Sequence, residues 1–307
     1  MRPLRIRFRG LGPGSGGGLG PAGGRWAARP RRLGGCGPVL LSGHSRTGGG
    51  GWRVLKGVVL AGRRNRGALA AAAPEAWEAL IPIAGRPMGS LVVAALCGVR
   101  EMDRVVVAGP PELGRGGALV VEPGEDVVGS LGTALAAADL GAEDELIIAT
   151  GDAPLLTAAA VDEVLAGARR RSLALGYPIV SRAECERQFP GVRRTYARLR
   201  EGAFTGGNCL YLRAAAVPRT LELLAWVHRH RKHPLRLASL FGFGTLLSVL
   251  VGRAGLADVE AAGSRVLRAA AGAVVTRNAG VGVDVDKSED LDLCRRVLEA
   301  RVRADSS

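Results

Sequence analysis

From Val54 onward, short apolar runs alternate with segments of helical periodicity, and this alternation constrains the fold more than any other feature of the chain. Residues 54–60, 103–108, 118–121 and 145–149 read as strands, and 88–99, 127–138 and 158–168 as helices. Near-continuous Val, Ile and Leu leave such strands no polar face to give to water, so they belong in a sheet covered on both sides. Parallel neighbours need a crossover connection, and the intervening helices supply it. The expected fold is α/β: a three-layer α/β/α, Rossmann-like arrangement on a mostly parallel, doubly wound sheet.

The second half is less regular. Residues 177–180, 195–199 and 209–212 are predicted strands, and 217–228 and 234–251 predicted helices. The chain is expected to close with a strand over 280–285 and a terminal helix. Ser288 suits that helix's N-cap, Glu289 and Asp290 suit its positive end, and Leu291, Cys294, Leu298 and Val302 form one apolar stripe. No linker-like stretch divides 53–307, which reads as one domain with an elaborated second half.

The net charge of +14 suggests nucleic acid until it is located along the chain. The first 50 residues hold nine arginines, no acidic residue and 16 of the 46 glycines. With no apolar periodicity, segment 1–52 cannot bury enough surface to offset the entropy of ordering it, and it reads as a disordered Arg/Gly tail. A phosphate-binding arm, a targeting peptide and sequence translated from a start placed too far upstream all fit it, the last being favoured. Beyond it, 33 basic residues face 28 acidic ones, and aromatics are only 4% of the chain, so no nucleic-acid surface is indicated. The longest uncharged run, 237–252, falls short of the ~20 residues that span a bilayer and reads as one or two core helices. Five scattered cysteines without metal-ligand spacing suggest free thiols. A cytoplasmic, membrane-free protein is the expectation.

Ligands of open α/β sheets collect outside the carboxyl ends of the strands. The first strand ends in Leu60-Ala61-Gly62-Arg63-Arg64-Asn65, where glycine lets backbone approach a polyphosphate and arginines add charge-assisted contacts. The spacing fits neither a dinucleotide fingerprint nor a P-loop, and a solvated Gly/Arg turn explains it equally well. Asp152 follows the fourth strand and is well placed to hold Mg²⁺, though an isolated Asp is more often a turn residue. Asp284 and Asp286, at alternate positions of an expected strand, project from one face and could complete a metal site. Thr205-Gly206-Gly207-Asn208 offers close approach and directed hydrogen bonds, or is a plain hairpin turn.

Taken in order, Leu60-Ala61-Gly62, Pro82-Ile83-Ala84-Gly85-Arg86-Pro87-Met88, Gly151-Asp152-Ala153-Pro154-Leu155-Leu156-Thr157, Thr205-Gly206-Gly207-Asn208 and the segment from Asp284 to Leu291 resemble nucleotidyltransferases of the GT-A type fold, above all molybdenum-cofactor guanylyltransferase-like NTP transferase domains. The resemblance covers about 54–295. It implies attack by an acceptor's phosphate or hydroxyl on the α-phosphorus of a nucleoside triphosphate, with loss of pyrophosphate. It also implies that Leu60, Ala61, Gly62, Arg63, Arg64 and Asn65 hold the triphosphate, that Asp152 binds Mg²⁺ with Asp286 or Asp284 as second carboxylate, that Arg86 assists catalysis, and that Thr205, Gly206, Gly207 and Asn208 face a small, phosphorylated acceptor. Two positions depart from the pattern. Arg63 stands where the family loop usually has a second glycine, and Glu78 where many members have lysine, leaving Arg63, Arg64, Arg66 and Arg86 as substitute cations. A glycosyltransferase using a nucleotide sugar and a non-catalytic nucleotide-binding protein are the alternatives.

Overall fold

A computed structural model describes residues 53–230, 232–233, 240 and 242–305. In chain order these form β1 (Leu55–Leu60), the small hairpin β2 (Pro82–Ile83) and β3 (Arg86–Pro87), α1 (Met88–Cys97), β4 (Met102–Ala108), β5 (Leu119–Val121), α2 (Val127–Ala138), β6 (Glu145–Thr150) and α3 (Ala158–Arg170). There follow β7 (Leu175–Ser181), α4 (Arg182–Gln188), β8 (Ala197–Leu199), β9 (Gly202–Gly206), β10 (Cys209–Arg213), α5 (Val217–His230), α6 (Phe243–Leu250), α7 (Leu256–Leu267), β11 (Ala271–Thr276) and α8 (Ser288–Asp305). The expected tail lies outside the described residues.

Nine strands make one sheet. β1 lies between β4 and β6 and parallel to both, with β5 outside β4. β10 runs antiparallel between β6 and β7, β9 follows it along the same edge of β7, and β11 pairs in parallel with the other edge. Successive residues feed opposite faces. Val58 and Ile148 join a core with Leu131 and Leu135 of α2, while Val59 and Ile147 join one with Val92 of α1 and Val164 of α3. Burial on both faces is why these strands read as unbroken apolar runs. Asp126 caps α2 by accepting from Gly129 N at 2.7 Å, and Thr157 caps α3 by accepting from Ala160 N at 3.2 Å.

The expected final strand is not one. The ladder strand is β11, residues Ala279–Gly282 form a 3₁₀ turn, and 283–287 run extended without a ladder. Alternating burial belongs to any extended segment, so Val283-Asp284-Val285-Asp286 mimics a strand in sequence. What fixes the turn is close packing: a Cβ on Gly280 would lie 2.3 Å from the carbonyl oxygen of Leu155. Gly280→Ala is expected to cost about 1–3 kcal/mol by overpacking, measured by denaturant unfolding.

The helices α4 and α7 have no counterpart in the sequence reading. α6 covers part of the helix expected over 234–251, the rest of which falls largely outside the described residues. It is a surface helix against β8 and α7 rather than core, with Leu247 62% and Val251 57% exposed. Among the described residues no helix is long and apolar enough to cross a membrane. Cys185, Cys209 and Cys294 are buried free thiols.

Candidate active site

The parallel register of β1, β4 and β6 brings their carboxyl ends together. Gly151 N donates to Leu60 O and Ala61 N to Ala108 O, each at 2.8 Å. The excursion after β1 is closed on itself by Glu78 N to Arg63 O (3.1 Å) and Asn65 N to Ala76 O (3.0 Å), and is anchored by buried Leu69 and Ala73. This settles where the predicted phosphate loop points. The Arg64 guanidinium lies 3.5 Å from the centroid of the Trp77 ring, and Asn65 Nδ2 donates to Ala73 O, so both turn onto their own loop. Gly62 packs on Pro123, which an added Cβ would meet at 2.4 Å. Leu60, Ala61 and Arg63 do line a hollow at the sheet's end, with Glu78, Ala79, Gly151 and Asp152. Its volume is about 20 Å³, room for one water-sized occupant.

Asp152 reaches this hollow from the end of β6. Its Oδ1 is sealed from solvent and has no hydrogen-bond partner. Burial pushes the carboxyl above the ordinary aspartate range; the Thr150 hydroxyl opposes the shift and the Asp286 charge adds to it. The backbone of Asp152 accepts from Val285 N at 2.9 Å, which lays the extended 283–286 segment alongside. Val283 and Val285 point into the core, and the two aspartates between and beyond them point the other way.

The aspartates then diverge. Nearly buried Arg194 bonds the Asp284 carboxylate, donates to Asp284 O at 2.6 Å and lies 3.6 Å from Asp290. Burial still raises the Asp284 carboxyl, against Arg194. Asp286 bonds Arg63 Nη1 at 3.1 Å, and Arg63 Nε lies 3.2 Å from Glu78 Oε2. Burial raises Glu78 also, with Arg63 opposing. Burial would lower the Arg63 pKa, but Asp286, Glu78 and Asp152 together hold it above its ordinary value. Among the described residues no three His, Cys, Asp or Glu side chains converge closely enough to hold a metal ion. Asp152, Asp284 and Asp286 are electrostatic neighbours, but two of them are engaged by arginines.

The two contacts of Arg63 are unequal. Arg63 and Asp286 are 61% and 49% exposed, and such a pair contributes up to about 1 kcal/mol. The Glu78 side chain is 4% exposed, and stripping the partner from a buried carboxylate costs about 3–5 kcal/mol.

Thr205 and Gly206 end β9, and Gly207 and Asn208 lead into β10. The protein itself fills the space beside these glycines: a Cβ on Gly206 would meet the Tyr177 hydroxyl at 2.2 Å, and one on Gly207 would meet Val281 at 2.4 Å. Asn208 donates to Val281 O from both its backbone N (2.8 Å) and its Nδ2 (3.2 Å). The segment therefore braces the 279–282 turn. Arg86 is exposed on the β2–β3 hairpin and forms no ion pair among the described residues. The sequence singled out Glu78 and Arg63 but not their pairing, and missed the Arg194–Asp284 pair; an arginine among several near a turn carries no signal of which acid it meets.

Residues 57–240 match the family described as the MobA-like NTP transferase domain. The chain belongs to that family. A solved structure titled a hypothetical transferase from Thermus thermophilus is 41% identical to this MobA-like chain, with a TM-score of 0.70 over 78% of this chain and 99% of that one. The fold is also that of 4-diphosphocytidyl-2C-methyl-D-erythritol synthase from Anaerococcus prevotii DSM 20548 (10% identity, TM-score 0.51, 80% and 99% covered). It is shared likewise with a CMP:2-keto-3-deoxy-manno-octonic acid synthetase complexed with CTP (14% identity, TM-score 0.52, 81% and 99% covered). No curated protein matches the chain.

Proposed function

We propose that this chain is a cytoplasmic, Mg²⁺-dependent nucleotidyltransferase of the GT-A type, moving a nucleoside monophosphate from a triphosphate to a small, phosphorylated acceptor with release of pyrophosphate. The observation that carries the reading is the buried, partnerless Oδ1 of Asp152 at the carboxyl edge of the sheet. A sealed carboxylate oxygen without a donor is costly in a unliganded fold and is satisfied by a hard cation. Asp152 would hold the ion with Asp286, the more accessible of the two later aspartates, and a bound Mg²⁺ would supply charge neutralisation at phosphorus. The chain's own contribution is positioning. Ala61 and Gly62 would bring backbone to the triphosphate, Arg63 would add a donor, and Arg86, exposed on the β2–β3 hairpin, would supply a further cation. The chemistry needs no side-chain nucleophile, since the acceptor oxygen attacks the α-phosphorus and pyrophosphate leaves.

Glu78 favours a second reading, nucleotide binding without transfer, because a buried carboxylate beside the hollow repels phosphate. One assay separates the two. The protein is offered each ribonucleoside triphosphate with Mg²⁺ and a panel of phosphorylated acceptors, and pyrophosphate is followed. Transfer predicts pyrophosphate release that requires both an acceptor and Mg²⁺. A raised Tm with triphosphate and no pyrophosphate from any acceptor selects binding alone, and stabilisation by nucleotide sugars only selects sugar transfer.

A further inference from the structure

Three carboxylates, Glu78, Asp152 and Asp286, act on one guanidinium at the end of β1 and β6. Arg63 meets two of them with different atoms: Nη1 donates a hydrogen bond to Asp286 at 3.1 Å, while Nε lies 3.2 Å from Glu78 Oε2 as a charge contact without a hydrogen bond. A planar fork held by charge against a buried carboxylate at one edge can release the other edge without leaving the site. Exposure decides which edge gives way. The Asp286 contact is half in water and is surrendered cheaply, whereas releasing Glu78 would leave a buried charge uncompensated. The hollow encloses only about 20 Å³ and opens to solvent beside Arg63, so three linked phosphates seated there would extend past it to the exposed outer end of the guanidinium.

We propose, on the basis of the transferase reading above, that Arg63 is an exchangeable cation pivoted on Glu78: it bonds Asp286 in the unliganded protein, and when a divalent cation and triphosphate enter it yields Asp286 to the cation and turns Nη1 to a phosphate oxygen. Glu78 is then a positioning residue, acting on the phosphate through Arg63. The pivot gives a carboxylate a use in a phosphate site, because its charge is spent on orienting the donor. It also makes Arg63 a competitor of the cation for Asp286 whenever nucleotide is absent.

The test uses Mn²⁺ alone, titrated by electron paramagnetic resonance, and an α,β-methylene nucleoside triphosphate with Mg²⁺, titrated by calorimetry, on the full chain. Arg63→Ala removes the cation facing buried Glu78, so thermal unfolding first checks that the variant is folded; it is then expected to tighten Mn²⁺ binding about fivefold. It should weaken nucleotide binding about tenfold or more, about 1.4 kcal/mol per tenfold. The Mn²⁺ gain should vanish in Asp286→Asn. Glu78→Gln is expected to weaken nucleotide binding when Arg63 is present and to strengthen it when position 63 is alanine, a change of sign that a purely structural role for Glu78 would not produce. Equal effects of Glu78→Gln in both backgrounds overturn the pivot, as does unchanged Mn²⁺ affinity in Arg63→Ala. If no triphosphate binds the wild type, the transferase reading falls; tighter Mn²⁺ binding in Arg63→Ala then still upholds the competition for Asp286, and unchanged binding removes it.

Discussion

Asp152→Asn is expected to lower nucleotidyl transfer about a thousandfold while raising the melting temperature of the unliganded protein by about 2–4 °C. The loss follows from removing the carboxylate proposed to hold the cation, which contributes several kcal/mol of charge stabilisation at phosphorus. The gain follows from burial. The folded protein holds this carboxyl above its ordinary value of 3.8, so its favourable contribution is complete at pH below that value and is lost as pH rises through the folded pKa. At neutral pH the wild type bears a buried charge that the amide does not. The stability difference should therefore grow from pH 4 toward neutrality, and thermal unfolding at several pH values in the absence of divalent ions measures it. A variant that loses activity and stability together would make Asp152 a structural residue.

The second large effect sits at the opposite end of the same strand. Glu145 begins β6 with its side chain 1% exposed, yet every oxygen is used. Tyr211 Oη donates to Oε1 at 2.6 Å, Arg169 donates to Oε2 from Nε (2.9 Å) and Nη2 (2.6 Å), and Arg53 reaches Oε1 at 3.3 Å. Arg169 continues to Glu101. Glu145→Ala strands a half-buried guanidinium and a buried phenol, and is expected to cost about 3–5 kcal/mol, roughly 10 °C in Tm. Burial alone would raise the Glu145 carboxyl, but Arg169 and Tyr211 together hold it below its ordinary 4.5. A depressed carboxylate stabilises fully above that value and loses its contribution as pH falls below it. Acid should accordingly destabilise the wild type more than Glu145→Ala below pH 4.5, as urea unfolding across that range would register.

The contrast between these two acids explains what could be read in advance. Both follow or open the same apolar run, and the sequence distinguishes them only by which end of a parallel strand they occupy. That was enough to single out Asp152, because strand direction is encoded in the alternation of strand and helix. The central layers were legible for the same reason: the apolar positions of β1, β4 and β6 are buried on both faces, so pattern and burial coincide there. The late segments were not. Val283-Asp284-Val285-Asp286 has a strand's pattern with no ladder, and α4, capped by Ser181, is a short charged helix that buries only Cys185, too little to show an apolar periodicity. The loop after β1 was legible as a loop, but the directions of its side chains were not. Arg64 and Asn65 share Arg63's composition signal, and only the closure of the 63–78 excursion decides that they turn inward.

The backbone bond from Val285 to Asp152 couples residues 133 positions apart in sequence. The family match ends at residue 240, so that stretch by itself includes Asp152, Glu78 and Arg63 but neither Asp284 nor Asp286. A protein cut there would retain most of the sheet and every residue that lines the hollow, and would lack the two aspartates beside it. During synthesis the same geometry brings Asp284 and Asp286 beside the hollow only after the central strands have left the ribosome. A nascent chain can thus gain its central sheet well before the two aspartates reach the hollow.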